Sequence, residues 1–176
     1  MFFASAAALL AMVLVPFVRF QLDGGARLKP AGERRAMNPV RLTLLSGESW
    51  KLSDHRGQVV AINYWATWCG PCWQETPMLV SLSHELGPQG FAIVGVATDE
   101  RNSAEIPPPV LRFVERFHVD YPVAMTAPMS QLSYAMEGLP MTILIDRQGR
   151  VAQTFVGALQ ETTFRADVEA LLREQR

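Results

Sequence analysis

Cysteine is nearly absent from this chain: 176 residues contain two, and both fall within Thr67-Trp68-Cys69-Gly70-Pro71-Cys72. A framework of structural disulfides needs several bridges closing long loops, and this pair would close almost nothing. Histidine is scarce too. His55, His84 and His118 are scattered singly, whereas zinc needs about four ligands together; they read as ordinary surface or core residues, and no metal is expected. Neither sign of charge is in excess, since 16 basic and 17 acidic residues leave a net charge of −1. That balance gives no electrostatic footprint for nucleic acid. Internal repeats and low-complexity tracts are lacking as well. Little therefore supports a staple or a metal site at the cysteine pair, which leaves electron exchange.

With 49% hydrophobic and 19% charged residues, the composition is that of one ordinary globular domain with a real core. Residues 1–18 carry no charge. At about 1.5 Å per helical residue, such a run just reaches across a bilayer core of about 30 Å. Residues 1–20 are thus expected to be a signal anchor or signal peptide, touching the lipid bilayer through residues 1–18. No clear small-x-small cleavage site follows, Gly24-Gly25-Ala26 being the best. The basic residues Arg19, Arg27, Lys29, Arg34 and Arg35 come after the run, which by the positive-inside rule would hold the domain in the cytoplasm. A wrongly chosen start codon that trimmed a basic leader would remove that conflict. Residues 21–37, with adjacent glycines and mixed charge, read as a linker of low order. Residues 38–176 are left as the folded domain.

Within that domain, Arg41-Leu42-Thr43-Leu44 and Ser49-Trp50-Lys51-Leu52 flank a Ser46-Gly47 turn, which predicts a hairpin. The apolar run at 58–65 predicts a buried central strand leading into the cysteines. Met78, Leu79, Leu82 and Leu86 recur at helical spacing, and Gly87-Pro88 reads as that helix's stop signal. A second buried strand is expected at 91–97, a helix at 110–117 opened by prolines, a short strand at 121–125 and a short helix at 129–136. A strand at 141–145, a turn and an antiparallel mate at 150–156 follow. Phe164, Val168, Leu171 and Leu172 mark a closing helix. Strands alternating with helices, with a hairpin at the end, predict an α/β fold with a mixed central sheet.

At such a strand-to-helix junction, Cys69 sits where the unpaired N–H groups and the dipole of the helix N-terminus favour an anion. Cys69, at the exposed edge, is therefore expected to be the nucleophilic thiolate, and the less exposed Cys72 the thiol that resolves a mixed disulfide. Pro71 suits the first helical turn. Gly70 is expected to permit a tight turn and leave room for a partner chain.

The octet Trp65-Ala66-Thr67-Trp68-Cys69-Gly70-Pro71-Cys72, with Pro77 in the same helix, resembles the thioredoxin active site. Over roughly residues 38–176, Leu52-Ser53-Asp54, Val59-Val60, Gly138-Leu139-Pro140 and the stretch from Ile145 to Val151 resemble the TlpA/ResA branch of membrane-tethered bacterial thiol:disulfide oxidoreductases. The segment around Tyr121-Pro122-Val123 fits that branch's extra segment. The resemblance implies a thioredoxin fold carrying an N-terminal β-hairpin extension and an apolar anchor helix. It further implies a cis-proline loop facing the cysteines, with Leu139 and Pro140 as substrate-contacting residues. Trp68 is expected on the cleft rim and Trp65 in the core.

Two departures from the family pattern stand out. Cytosolic thioredoxins carry Asp six residues before the first cysteine, where this chain has Asn63. Glu75, three residues after Cys72 and on the core-facing stripe, is the candidate proton acceptor; burial should raise its pKa. A glutamate at the matching place is read this way in the ResA group. Secondly, ResA-like members often carry other residues than Gly-Pro between the cysteines. That dipeptide, as in thioredoxin, favours a reductant near about −270 mV.

The expected activity is reduction of disulfides in extracytoplasmic substrate proteins by dithiol/disulfide exchange, with cytochrome c maturation among its settings. A membrane electron carrier would reset the pair, and no cofactor is called for. The expected location is the bacterial inner membrane, by a single N-terminal anchor with the domain facing the periplasm. Two alternatives stand beside it. A peroxiredoxin-like peroxidase would need a Pro-x-x-x-Thr-x-x-Cys setting, which is absent. A non-enzymatic thiol- or metal-handling chaperone would need more ligands than Met125 and Met129 provide.

Overall fold

The computed structural model describes residues 28–99, 105–126 and 138–174. A short antiparallel hairpin comes first, β1 (Arg41–Thr43) with β2 (Ser49–Lys51), where Leu42 faces Trp50. Then follow β3 (Val59–Trp65), α1 (Gly70–Leu86), β4 (Phe91–Ala97), α2 (Pro108–Arg116), β5 (Val123–Met125), β6 (Met141–Ile145), β7 (Val151–Val156) and α3 (Glu161–Arg173). Among the described residues, the main sheet has the order β5-β4-β3-β6-β7. β3, β4 and β5 run parallel, and β6 and β7 lie antiparallel to their neighbours. This is the mixed α/β sheet the strand and helix pattern implies, with the hairpin ahead of it.

Every residue of β3 is buried, as a central strand covered on both faces requires. Its odd-numbered side chains, Val59, Ala61 and Trp65, join one core cluster with Leu79, Leu82 and Leu86 of α1, Val110 and Phe113 of α2, and Phe164, Val168 and Leu171 of α3. Each buried leucine contributes about 1.5–3 kcal/mol by leaving water. The even-numbered Val60, Ile62 and Tyr64 join a second cluster capped by Val40, Trp50 and Leu52 of the hairpin region. Asn63 is thereby assigned to the helix-covered face. Beside it on β4, Gly95 is tightly enclosed: a Cβ there would lie 3.0 Å from Trp65 Nε1 and 3.2 Å from a Tyr121 ring carbon, so these neighbours would have to shift.

Three expectations need correction or restriction. α1 ends at Leu86 with Gly87 as its cap, where the Gly87-Pro88 signal puts the stop, but Gly87 holds φ −52° instead of a left-handed state and leads into a single 3-10 turn, Gly87–Gln89. The reversal is made by Gly90 at φ 97°, a backbone state that only glycine adopts freely. From Leu28 onward the segment read as a loose linker is attached to the sheet. Lys29 N donates to Ala152 O, Val151 N to Arg35 O and Met37 N to Gly149 O, at 2.9, 2.9 and 3.0 Å. These bonds occupy the start of the outer edge of β7, which an unpaired strand would leave open. Arg34 fastens the strap: its buried guanidinium reaches Asp146 at 3.2 Å and Glu174 at 2.6 Å, and donates to Lys29 O at 2.8 Å. The apolar run at 1–18 and the helix expected at 129–136 lie outside the described residues, among which no helix is long and apolar enough to cross a membrane.

Candidate active site

The site forms where β3 ends. Thr98 N and Oγ1 both donate to Trp65 O, at 2.8 and 3.1 Å, and tie the end of β3 to the segment leaving β4. Thr67 N donates to Asp99 Oδ2 at 3.1 Å, and the Thr67 hydroxyl also donates to that carboxylate. The backbone entering the cysteine turn is thus held from two sides. Cys69 is the N-cap of α1, with Pro71 in the first turn. The Cys72 backbone N–H is shared between Cys69 O at 3.1 Å and Cys69 Sγ at 3.3 Å, so a donor of the helix's first turn is aimed at that sulfur.

Cys69 and Cys72 are joined as a disulfide, with Cα atoms 5.3 Å apart. Cys69 is 5% exposed and Cys72 fully buried. The order of exposure agrees with the expectation, but the exposed edge expected for Cys69 does not hold in this state. Its side chain turns inward as the cap and bonds to a buried sulfur, so little more than one flank meets solvent. The residues around it are open: Trp68 is 72% exposed, and Gly70 and Pro71 are exposed too. Gly70 is the first residue of α1, without the positive φ of a forced turn, and a Cβ on it would meet nothing within 4 Å. The tight-turn reason for that glycine therefore falls away, while the open space beside it remains. Trp65 is buried and stacks on Phe113 at 4.1 Å between ring centroids.

The Leu139–Pro140 peptide is cis. Register sets Met141 opposite Tyr64, so Pro140, just ahead of β6, lies at the same end of the sheet from which the cysteine turn leaves β3. Leu139 is half-buried and packs against the core cluster that contains both cysteines.

Glu75 is 3% exposed, one helical turn beyond Cys72. Asn63 Nδ2 donates to its Oε1 at 2.8 Å and Leu159 N to its Oε2 at 3.0 Å. Burial pushes the Glu75 carboxyl up from the usual carboxylate range, and the two donors pull it back only in part. Asn63 Nδ2 also donates to Thr142 Oγ1 at 2.9 Å. Tyr121, on the same side, is raised well above the ordinary phenol range by burial, with the Glu75 charge adding to the shift. Asn63, Thr142 and the Leu159 amide are thus parts of the site that sequence reasoning noted only as a substitution or did not find. A signal existed for Asn63: a side-chain amide inside a wholly buried strand must have partners there.

The three histidines lie apart from this site in their contacts. His55 stacks on Trp50 and hydrogen-bonds Gln58, His84 pairs with Asp120, and His118 follows α2 at φ 50°.

The comparisons with known proteins agree with this geometry. The family model described as Redoxin matches residues 29–172. The chain is 34% identical over 131 residues to the thiol-disulfide oxidoreductase ResA of Geobacillus kaustophilus, covering 74% of this chain and 72% of that protein. It is also 34% identical over 135 residues to ResA of Halalkalibacterium halodurans, covering 76% and 73%. Among solved structures, a candidate thiol:disulfide interchange protein DsbE from Chlorobium tepidum superimposes with a TM-score of 0.69 at 29% identity. That match covers 79% of this chain and 96% of the other.

Proposed function

The chain belongs to the Redoxin family as a thioredoxin-fold protein thiol:disulfide oxidoreductase, and we propose that it reduces disulfides of extracytoplasmic substrate proteins through Cys69 and Cys72. The observation that carries the assignment of roles is the donor aimed at one sulfur only: Cys72 N faces Cys69 Sγ from the first turn of α1. Negative charge on Cys69 is stabilised by that N–H and by the helix dipole, so Cys69 is the attacking thiolate.

In the reduced protein, Cys69 attacks one sulfur of a substrate disulfide. The substrate S–S bond breaks, one substrate sulfur leaves as thiolate, and a Cys69–substrate disulfide forms. Cys72 then loses its proton and attacks Cys69 Sγ, expelling the second substrate thiolate. Two electrons pass from the pair to the substrate, and the Cys69–Cys72 disulfide is the product state. Glu75 is the proposed acceptor of the Cys72 proton: it lies one helical turn away, it is buried, and its carboxyl is held partly toward the neutral form. A carboxylate in that setting takes a proton more readily than one in water.

Trp68, Gly70 and Pro71 are the exposed rim available to a substrate, and Leu139 with cis-Pro140 the opposing wall where substrate backbone would lie. The proposed setting is the periplasmic face of the inner membrane. Residues 1–18 would act as anchor, a membrane electron carrier would re-reduce the pair, and apocytochrome c would be one substrate among several. The uncharged run ahead of the domain supports that setting.

Mixing the reduced protein with a disulfide-bonded reporter protein tests this reading. One protein disulfide should be lost for each Cys69–Cys72 disulfide gained, and Cys69→Ser should abolish the exchange. A measured potential near about −270 mV fits a reductant, whereas one near about −120 mV would reverse the direction.

A further inference from the structure

Beside the cysteine turn, between α1 and α2, lies an open cleft of about 660 Å³ that the exchange chemistry leaves unused. Trp73, directly after Cys72, forms one wall. Its indole N–H donates to Thr67 O at 2.8 Å, which locks the ring to the loop carrying Cys69. Phe113 supports that ring edge-on at 5.4 Å and stacks in turn on the buried Trp65. The aromatic wall is therefore continuous with the core and rigid.

The opposite wall is cationic. Arg112 and Arg116, four residues apart on α2, share one helix face, and both line the cleft together with Glu115. Arg116 lies over the Trp73 ring, its guanidinium carbon 5.5 Å from the centroid. Neither arginine has an ion-pair partner among the described residues, although Arg34, Arg150, Arg165 and Arg173 each have one. In a chain of net charge −1, two guanidinium groups without an ion-pair partner among the described residues outnumber the single lining carboxylate, Glu115, and make the lining of this cleft beside the cysteine turn net positive.

We propose that this cleft is a second docking site, which binds an acidic segment of the substrate protein flanking the disulfide that Cys69 attacks. Carboxylates would pair with Arg112 and Arg116, whose planar donors suit them, and an apolar or aromatic neighbour would lie on Trp73. The proposal rests on the exchange reading above, for it supplies specificity to that reaction rather than a separate activity.

The test separates binding from exchange. The oxidised protein is titrated with cysteine-free peptides of matched length, one bearing four Asp or Glu residues around a Phe and one bearing four Lys. Binding is followed by the NMR signal of the Trp73 indole N–H. The acidic peptide should shift that signal and bind about five to ten times more tightly than the basic one, the size expected from two exposed ion pairs. The preference should fade at high salt and invert in R112E/R116E. Taking the ratio of the two peptides within each variant cancels any loss of folded protein. Equal affinities, or a preference that survives the charge reversal, would overturn the proposal whatever the exchange activity. Failure of the reduced protein to exchange with any disulfide would instead overturn the exchange reading alone.

Discussion

Asn63 donates its side-chain amide to the carboxylate of Glu75 across 2.8 Å, joining the middle of the central strand to the helix that begins at the cysteines. A second proton of the same amide goes to Thr142, so one residue of β3 organises groups on α1 and β6. Cytosolic thioredoxins carry an acid at that strand position; here the acid arrives from the helix and the strand holds it.

Replacing Asn63 by Ala should destabilise the protein by about 2 kcal/mol, because the buried carboxyl and the Thr142 hydroxyl each lose a partner. In E75Q the same replacement should cost about 1 kcal/mol less, giving a measurable coupling in a double-mutant cycle. Urea unfolding of the four proteins reads both quantities, and additive effects would show that the two residues do not act together.

Glu75 also sets a slope in stability against pH. A carboxyl raised on folding contributes its stabilisation fully below the unfolded value of about 4.3, and that contribution is lost as pH rises through its folded value. Wild type should therefore lose stability relative to E75Q as pH rises from about 4. Asp167, pushed up to about 6 by burial, acts in the same direction in both proteins and cancels in the comparison. Unfolding midpoints of the pair across the range check this; parallel curves would contradict it.

Much of this was legible in the sequence, for identifiable reasons. The strand Phe91–Ala97 is apolar throughout and bounded by glycine and polar residues, so its limits could be read directly. The cysteine turn was legible because Pro71 and the spacing of the two sulfurs constrain it locally. The strap at 28–37 was not. Its attachment is by backbone hydrogen bonds, which leave no side-chain pattern, and by Arg34, whose partners Asp146 and Glu174 lie 112 and 140 residues away. Gly87-Pro88 marks the end of α1, but not the reversal that follows, which Gly90 makes three residues on. The cleft between α1 and α2 depends on how two helices lie together, which the periodicity of neither one states.

The strap yields a prediction of its own. Arg34→Met should cost about 3 kcal/mol, since it leaves buried Asp146 with Arg150 as its one remaining ion-pair partner among the described residues and strips the Glu174 carboxylate of both its bonds to the guanidinium. Chemical denaturation measures the loss, and limited proteolysis should show new cleavage within residues 28–37. A variant of wild-type stability and protease resistance would refute the clamp.

Gly95→Val should be the more damaging of two changes on β4. Even the first added carbon meets Trp65 Nε1 at 3.0 Å and Tyr121 at 3.2 Å. Gly95→Ala should cost about 1–3 kcal/mol, and the valine more, as overpacking in a dense core does. Thermal unfolding ranks them; an alanine variant as stable as wild type would show that the neighbours yield freely.

The division of labour between Cys69 and Cys72 is the centre of this account, and trapping tests it most directly. Cys72→Ser, reduced and mixed with a disulfide-bonded protein, should accumulate a covalent complex through Cys69, because no second thiol is present to release it. Cys69→Ser should accumulate little, its remaining sulfur being buried in the helix. Equal trapping by both variants, or trapping through Cys72 alone, would contradict the assignment of Cys69 as the nucleophile.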